Sequence, residues 1–195
     1  MIETFNTTDY KVIISNIALD SVSPVLSTQA ANGKERVISR NLQYYKGELT
    51  ITCADLDAVR YVSAFFERND RSKSFYISLP GYNEPTKRIT STPTISGSYA
   101  AGAATVKVSG FTGTITAGDY FTIANDTKVY MALNDAAALD FLNIKPTLRL
   151  PITTSAPINV YPKMLVRLVS DTVIYKTQGV TFTRQYDIEF REELL

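Results

Sequence analysis

Glu48-Leu49-Thr50-Ile51-Thr52-Cys53-Ala54-Asp55-Leu56-Asp57-Ala58-Val59-Arg60-Tyr61-Val62-Ser63-Ala64-Phe65-Phe66-Glu67-Arg68-Asn69 changes its apolar period part-way along. Up to Cys53, the apolar Leu49, Ile51 and Cys53 alternate with Thr50 and Thr52, the period of two of a strand with one buried face. From residue 55 to 69 the apolar Leu56, Val59, Val62, Phe65 and Phe66 recur every three or four positions, which predicts an amphipathic helix. Asp55 and Asp57 stand at its start and Arg68 at its end, as the helix dipole prefers, and Thr52 with Asp55 suggests a capping-box-like start. Strand chemistry surrounds this helix. Residues 10–14 and 35–39 precede it as β-rich runs, with Asn32-Gly33 and Lys46-Gly47 read as turns between runs. Residues 74–79 follow it, so the order is β, β, β, α, β.

Charge density then divides the chain. The seventy residues from Pro93 to Pro162 hold only eight charged side chains, whereas the other 125 hold 31. The same stretch carries five of the nine glycines and five of the eight prolines. A shift of this kind between prolines predicts an inserted domain. The expected fold is mainly β with one helix: a discontinuous β-barrel or sandwich from residues 1–88 and 163–195, with an inserted small OB-like β-barrel at 89–162. Within the insertion, residues 105–108, 119–123, 128–133, 141–144 and 158–161 read as short strands of a five- or six-stranded barrel. Ala136-Ala137-Ala138 reads as a helical turn. After Pro162, residues 164–169, 172–175 and 180–190 read as strands. In the last, Val180, Phe182, Arg184, Tyr186, Ile188 and Phe190 share the even-numbered face, and the run is expected to be an edge strand.

Composition excludes the familiar catalysts. There is no His, no Trp and a single Cys, so histidine triads, zinc sites built on His or Cys clusters, and internal disulfides are ruled out. A formal net charge of +1 gives no basic excess for holding nucleic acid or an anionic membrane. No stretch approaches eighteen apolar residues and the first residues do not resemble a secretory signal, so a soluble chain with no membrane partner is expected. The lone Cys53 fits a reducing cytoplasm and ends a strand on its apolar face, which reads as a buried small hydrophobe.

The remaining candidates for chemistry read as structure. Asp55/Asp57 belong to the helix start. Glu192/Glu193 read as a solvated charge cluster near the end of the chain. Asp126, Asn134, Asp135 and Asp140 lack the alternating ligands and closing Glu of a calcium loop. Gly110-Phe111-Thr112-Gly113 with Gly118 has no following Lys-Ser/Thr and reads as turn chemistry, not a phosphate loop. Arg60, Arg68, Arg71 and Lys73 read as the solvated side of the helix, with a nucleic-acid or subunit patch as the functional alternative. Tyr99, Tyr120 and Tyr130 are the candidates for a sugar-stacking platform on the barrel, with β packing as the plainer account. No catalytic residue, cofactor site or metal site is assigned, and an enzyme is not expected.

Several longer strings carry a family resemblance. They are Asn32-Gly33-Lys34-Glu35-Arg36-Val37-Ile38-Ser39, Tyr44-Tyr45-Lys46-Gly47-Glu48-Leu49-Thr50-Ile51, the 55–69 helix, and Phe75-Tyr76-Ile77-Ser78-Leu79-Pro80. This part resembles the N-terminal domain of distal tail proteins of long-tailed (siphovirus) bacteriophages. Lys107-Val108-Ser109-Gly110, Ala117-Gly118-Asp119-Tyr120-Phe121-Thr122-Ile123, Lys128-Val129-Tyr130 and Asn143-Ile144-Lys145-Pro146-Thr147-Leu148-Arg149 resemble the OB-like insertion of such proteins. The resemblance implies a structural virion protein of the tail tip, assembled in the host cytoplasm. It implies a hexameric ring between the tail tube protein and the tip hub or baseplate, with a channel through which DNA passes unbound during genome ejection. The insertion would point outward, toward fibres or a host glycan, and the alternative reading is a carbohydrate-binding module. It brings no catalytic residues. Ring formation needs a heterologous interface, for which the 180–190 strand is the expected donor.

Overall fold

The computed structural model describes residues 2–29, 32–39, 42–124, 126–170, 174–177 and 184–194. In chain order the elements are β1 (Val12–Val22), β2 (Val25–Gln29), β3 (Glu35–Ser39), β4 (Tyr44–Cys53), α1 (Leu56–Arg68) and β5 (Ser74–Ile77). There follow β6 (Thr94–Ile95), β7 (Thr105–Ser109), β8 (Thr114–Ile115), β9 (Tyr120–Ile123), β10 (Tyr130–Ala132), β11 (Ala136–Ala137), β12 (Phe141–Lys145) and β13 (Ile158–Asn159). The last are β14 (Met164–Leu168), β15 (Ile174–Thr177) and β16 (Arg184–Glu192). The fold is mainly β with one helix, as expected. Two expected runs, at Thr172-Val173 and from Val180 to Thr183, lie outside the described residues.

The outer sheet runs in the order β1-β4-β16-β14-β5, with β15 also paired to β16. β4 alternates without a break, so Tyr45, Leu49, Ile51 and Cys53 all face the core. Helix α1 covers that face. Asp55 caps it by accepting the Ala58 N–H at 2.8 Å, and Val59, Val62, Phe65 and Phe66 are its buried stripe. Phe5, Phe65, Phe66 and Phe75 meet edge to face or tilted, with ring centroids 5.0–6.0 Å apart, geometries that the ring quadrupole favours. Thr52 takes no part in the cap, because it lies within β4, paired to Ile13 and Gln185.

The β9, β10, β12 and β7 strands form the centre of a second sheet, ordered β13-β9-β10-β12-β7-β6. It nearly closes on itself. Thr94 bridges Pro157, the Ile95 N–H donates to Ala156 O at 2.9 Å, and the Ile158 N–H donates to Pro93 O at 2.8 Å. Val106, Val108, Phe121, Leu142, Ile144 and Ile158 fill its interior as a separate hydrophobic core.

Four local expectations are corrected. Lys46-Gly47 is no turn: both residues sit inside β4, where a Cβ on Gly47 would run into Ala18 O of β1 and the Phe190 ring of β16. Ala136-Ala137 is strand β11, paired to β8, and not a helical turn. β1 runs on to Val22, beyond the expected stop at Ile14; a register shift between Ser15 and Ala18 carries Asn16 into the left-handed region at φ 49° and breaks the alternation. β16 is not an edge strand. It is hydrogen-bonded to β4 on one side and to β14 and β15 on the other.

Candidate functional site

Two places in the molecule break the rules of an ordinary β fold. The first is the hairpin of β2 and β3, which forms a two-stranded sheet of its own. Its turn follows from Asn32-Gly33: Gly33 takes φ 78° and the Asn32 side chain accepts the Lys34 N–H at 3.2 Å. Ser27 pairs with Val37 and Leu26 with Ile38. Strand alternation therefore puts Val25 and Val37 on one face, and Leu26 and Ile38 on the other. All four are about half exposed, from 48% at Ile38 to 57% at Val37, and none contributes to either core. A hairpin that is apolar on both faces and has neither covered is marginal on its own in water. Burying the exposed half of these side chains is worth about 3–6 kcal/mol.

The second place is the junction of the two cores, where a carboxylate is wholly buried. Glu192 continues the inward face of Tyr186, Ile188 and Phe190 on β16. Its Oε1 accepts the Val129 N–H at 3.0 Å, and its Oε2 accepts the Tyr45 N–H at 3.0 Å and the Lys128 ammonium. Lys128 lies in turn over the Tyr45 ring at 4.6 Å. Desolvation pulls the Lys128 ammonium below the usual lysine range, against the opposing pull of Glu192. Burial raises the Tyr45 phenol above its ordinary value. One side chain thus ties β4 and β16 of the outer sheet to the strand entry of the barrel.

A second buried carboxylate fastens the approach to the barrel. Asp119 Oδ1 accepts both the Thr86 N–H at 2.8 Å and the Thr86 hydroxyl at 2.6 Å, while Oδ2 accepts the Thr116 N–H at 2.8 Å. Tyr82 and Tyr45 both contact Tyr120 edge to face, at 5.4 and 5.8 Å. The linker, the sheet and the barrel meet across these rings.

Glu192 corrects the reading of Glu192/Glu193 as a solvated pair. Glu193 bonds Arg167 at 3.0 Å and is itself mostly covered. Sequence reasoning weighs Glu192 only beside Glu193 and does not bring Lys128 to it, although parity along β16 points Glu192 inward.

The other sequence candidates are dispersed. Asp126 holds Arg149 at 2.7 Å and the Tyr130 hydroxyl at 2.7 Å. Asn134 spans Phe141 O and the Asn143 N–H. Asp135 accepts the Ala117 N–H, and Asp140 accepts the Ala137 N–H. These oxygens are spent on turns of the barrel and do not converge. Gly110, Gly113 and Gly118 all have positive φ, and a Cβ on Gly113 would come within 2.6 Å of Arg88 O. All three are turn residues in the left-handed region, and at Gly113 backbone also passes close to backbone.

Cys53 is fully buried, and burial pushes its thiol up to about 11, the opposite of an activated nucleophile. Arg60 pairs with Asp57, Arg68 with Glu3, and Lys73 caps Arg68 O. This is a solvated helix face. Tyr130 is buried, Tyr120 is packed between rings, and Tyr99 bonds the Lys107 N–H and Ser96 O. The three tyrosines therefore form no common platform for a sugar. Among the described residues no helix is long and apolar enough to cross a membrane. No family model matches the chain, and no curated protein matches it.

Proposed function

We propose that this chain is a structural component of a phage tail tip, a distal tail protein whose copies close into a hexameric ring between tail tube and tip hub. Residues 1–88 and 163–195 would build the ring, and residues 89–162 would project from it as an inserted barrel. The observation that carries this reading is the β2–β3 hairpin, apolar on both faces and left half exposed by the described residues of its own chain. Such an arm gains its missing burial from a neighbouring copy, and a head-to-tail contact of this kind generates rings. It replaces β16, now central in its sheet, as the element offered for assembly. The sequence strings resembling distal tail proteins supply the partners: tube protein on one face, hub on the other, and DNA passing through without a binding site. The near-neutral charge suits a channel that does not grip DNA.

Sedimentation velocity and negative-stain microscopy test the reading. Rings of six copies, formed by the protein alone or on purified tail tubes, are the expected result. A strict monomer at high concentration that also fails to decorate tail tubes would sink it.

A further inference from the structure

We propose that Lys128 and Glu192 condense into an ε-(γ-glutamyl)lysine amide, a covalent cross-link between the barrel and the outer sheet. Their side chains are 1% and 0% exposed, and Lys128 Nζ donates directly to Glu192 Oε2. Burying two such charges costs several kcal/mol of hydration for each ion. Burial pushes Lys128 toward its neutral, nucleophilic form, against the pull of Glu192 and Asp126. Condensation removes both charges at once, which a low-dielectric site favours.

The chemistry balances with no further reactant. A proton passes from Nζ to Oε2, leaving a neutral amine against a neutral carboxylic acid. Nζ attacks Cδ and forms the C–N bond, while negative charge develops on Oε1. That oxygen already accepts the Val129 N–H at 3.0 Å, the kind of fixed donor that stabilises a tetrahedral intermediate. The Cδ–Oε2 bond then breaks. Oε2 leaves as water with two of the three protons first carried by Nζ, and the third stays on the amide nitrogen. The Tyr45 N–H, 3.0 Å from Oε2, holds the departing oxygen until it leaves. A surface cleft of about 280 Å³ lined by Gln43, Lys128, Arg149 and Leu194 reaches Lys128 and would give the released water a way out, while the pair itself stays buried. The exclusion of solvent that drives the step also protects its product from hydrolysis. The bond would tie together residues 64 apart in sequence without depending on ring formation.

Intact-mass spectrometry of the full, denatured chain tests this. The expected mass is one water below that of the sequence, with a branched tryptic peptide joining Lys128 to Glu192 and no cleavage after Lys128. Lys128→Arg keeps the positive charge but offers no primary amine, so it restores the full mass. Glu192→Gln gives the same branched peptide with loss of ammonia in place of water. A wild-type mass equal to the sequence after prolonged incubation overturns the proposal. So does a loss of water that persists in Lys128→Arg.

Discussion

Phe190 of β16 lies directly across from Gly47 of β4, and its ring occupies the space where a Gly47 side chain would stand. A Cβ at Gly47 would come within 2.8 Å of the Phe190 ring tip and 2.4 Å of Ala18 O. The ring can turn, but the β1 backbone cannot retreat without breaking its ladder to β4. Gly47→Ala is therefore expected to destabilise the outer sheet by at least about 2 kcal/mol, the cost of overpacking a closed core. A lower urea midpoint at unchanged slope is the result to look for. A neutral substitution would mean that this sheet is looser than its register implies.

Asp119 offers a comparable test at the entry to the barrel. Its carboxylate satisfies three donors on Thr86 and Thr116 while itself only 5% exposed. Asp119→Ala strands those donors and is expected to cost about 3 kcal/mol. For a chain of this size that lowers the melting temperature by about 6–12 °C. Thr86→Val removes only the hydroxyl donor and should cost less than half as much. Equal losses in a thermal melt would show that packing, not hydrogen bonding, makes the contact.

The helix was legible because its apolar period differs from that of every neighbour, and the main barrel strands were legible from short β-branched runs between turn residues. Elements that rely on tertiary context were not. β2 reads Val-Leu-Ser-Thr-Gln, with no alternation because neither face is buried by the described residues. The second half of β1 was hidden by the shift at Asn16, which moves the apolar positions out of phase. Lys46-Gly47 looked like a turn because glycine's usual use is conformational, whereas here it makes room for Phe190. Glu192 looked solvated because a carboxylate near a chain end usually is. Its place on the same face of β16 as Tyr186, Ile188 and Phe190 turns it inward, onto a lysine 64 residues away.

Acid should loosen α1 through its cap. The Ala58 N–H donated to Asp55, with further help from Lys11 at 3.5 Å, holds this carboxyl below the ordinary aspartate value. A depressed carboxyl contributes stability that is fully present above the unfolded pKa, near 3.8, and disappears as pH falls through the lower folded value. Asp55→Asn keeps a capping oxygen but cannot titrate. The variant should match wild type more closely at low pH than at neutral pH, and a flatter melting-temperature profile across the acid limb would show it. Parallel profiles would assign the acid sensitivity to other carboxylates, such as Glu3, lowered chiefly by the Asn69 amide at the other end of α1.

Assembly through the hairpin can be separated from folding. Leu26 and Val37 lie on opposite faces of the β2–β3 ribbon and touch neither core, so charges there meet water in the monomer. Leu26→Asp and Val37→Asp are each expected to leave the melting temperature of the isolated monomer within about 2 °C of wild type, since exposed substitutions seldom shift stability by more than about 0.5 kcal/mol. In an assembled ring the same carboxylates would be pressed against apolar surface, where each unpaired charge costs several kcal/mol. Sedimentation velocity should then show wild type as rings and both variants as monomers at matched concentration. If only one variant dissociates, a single face of the arm is buried by the neighbour. If both variants still form rings, the contact lies elsewhere, and the outer edge of β1, unpaired among the described residues, becomes the element to test.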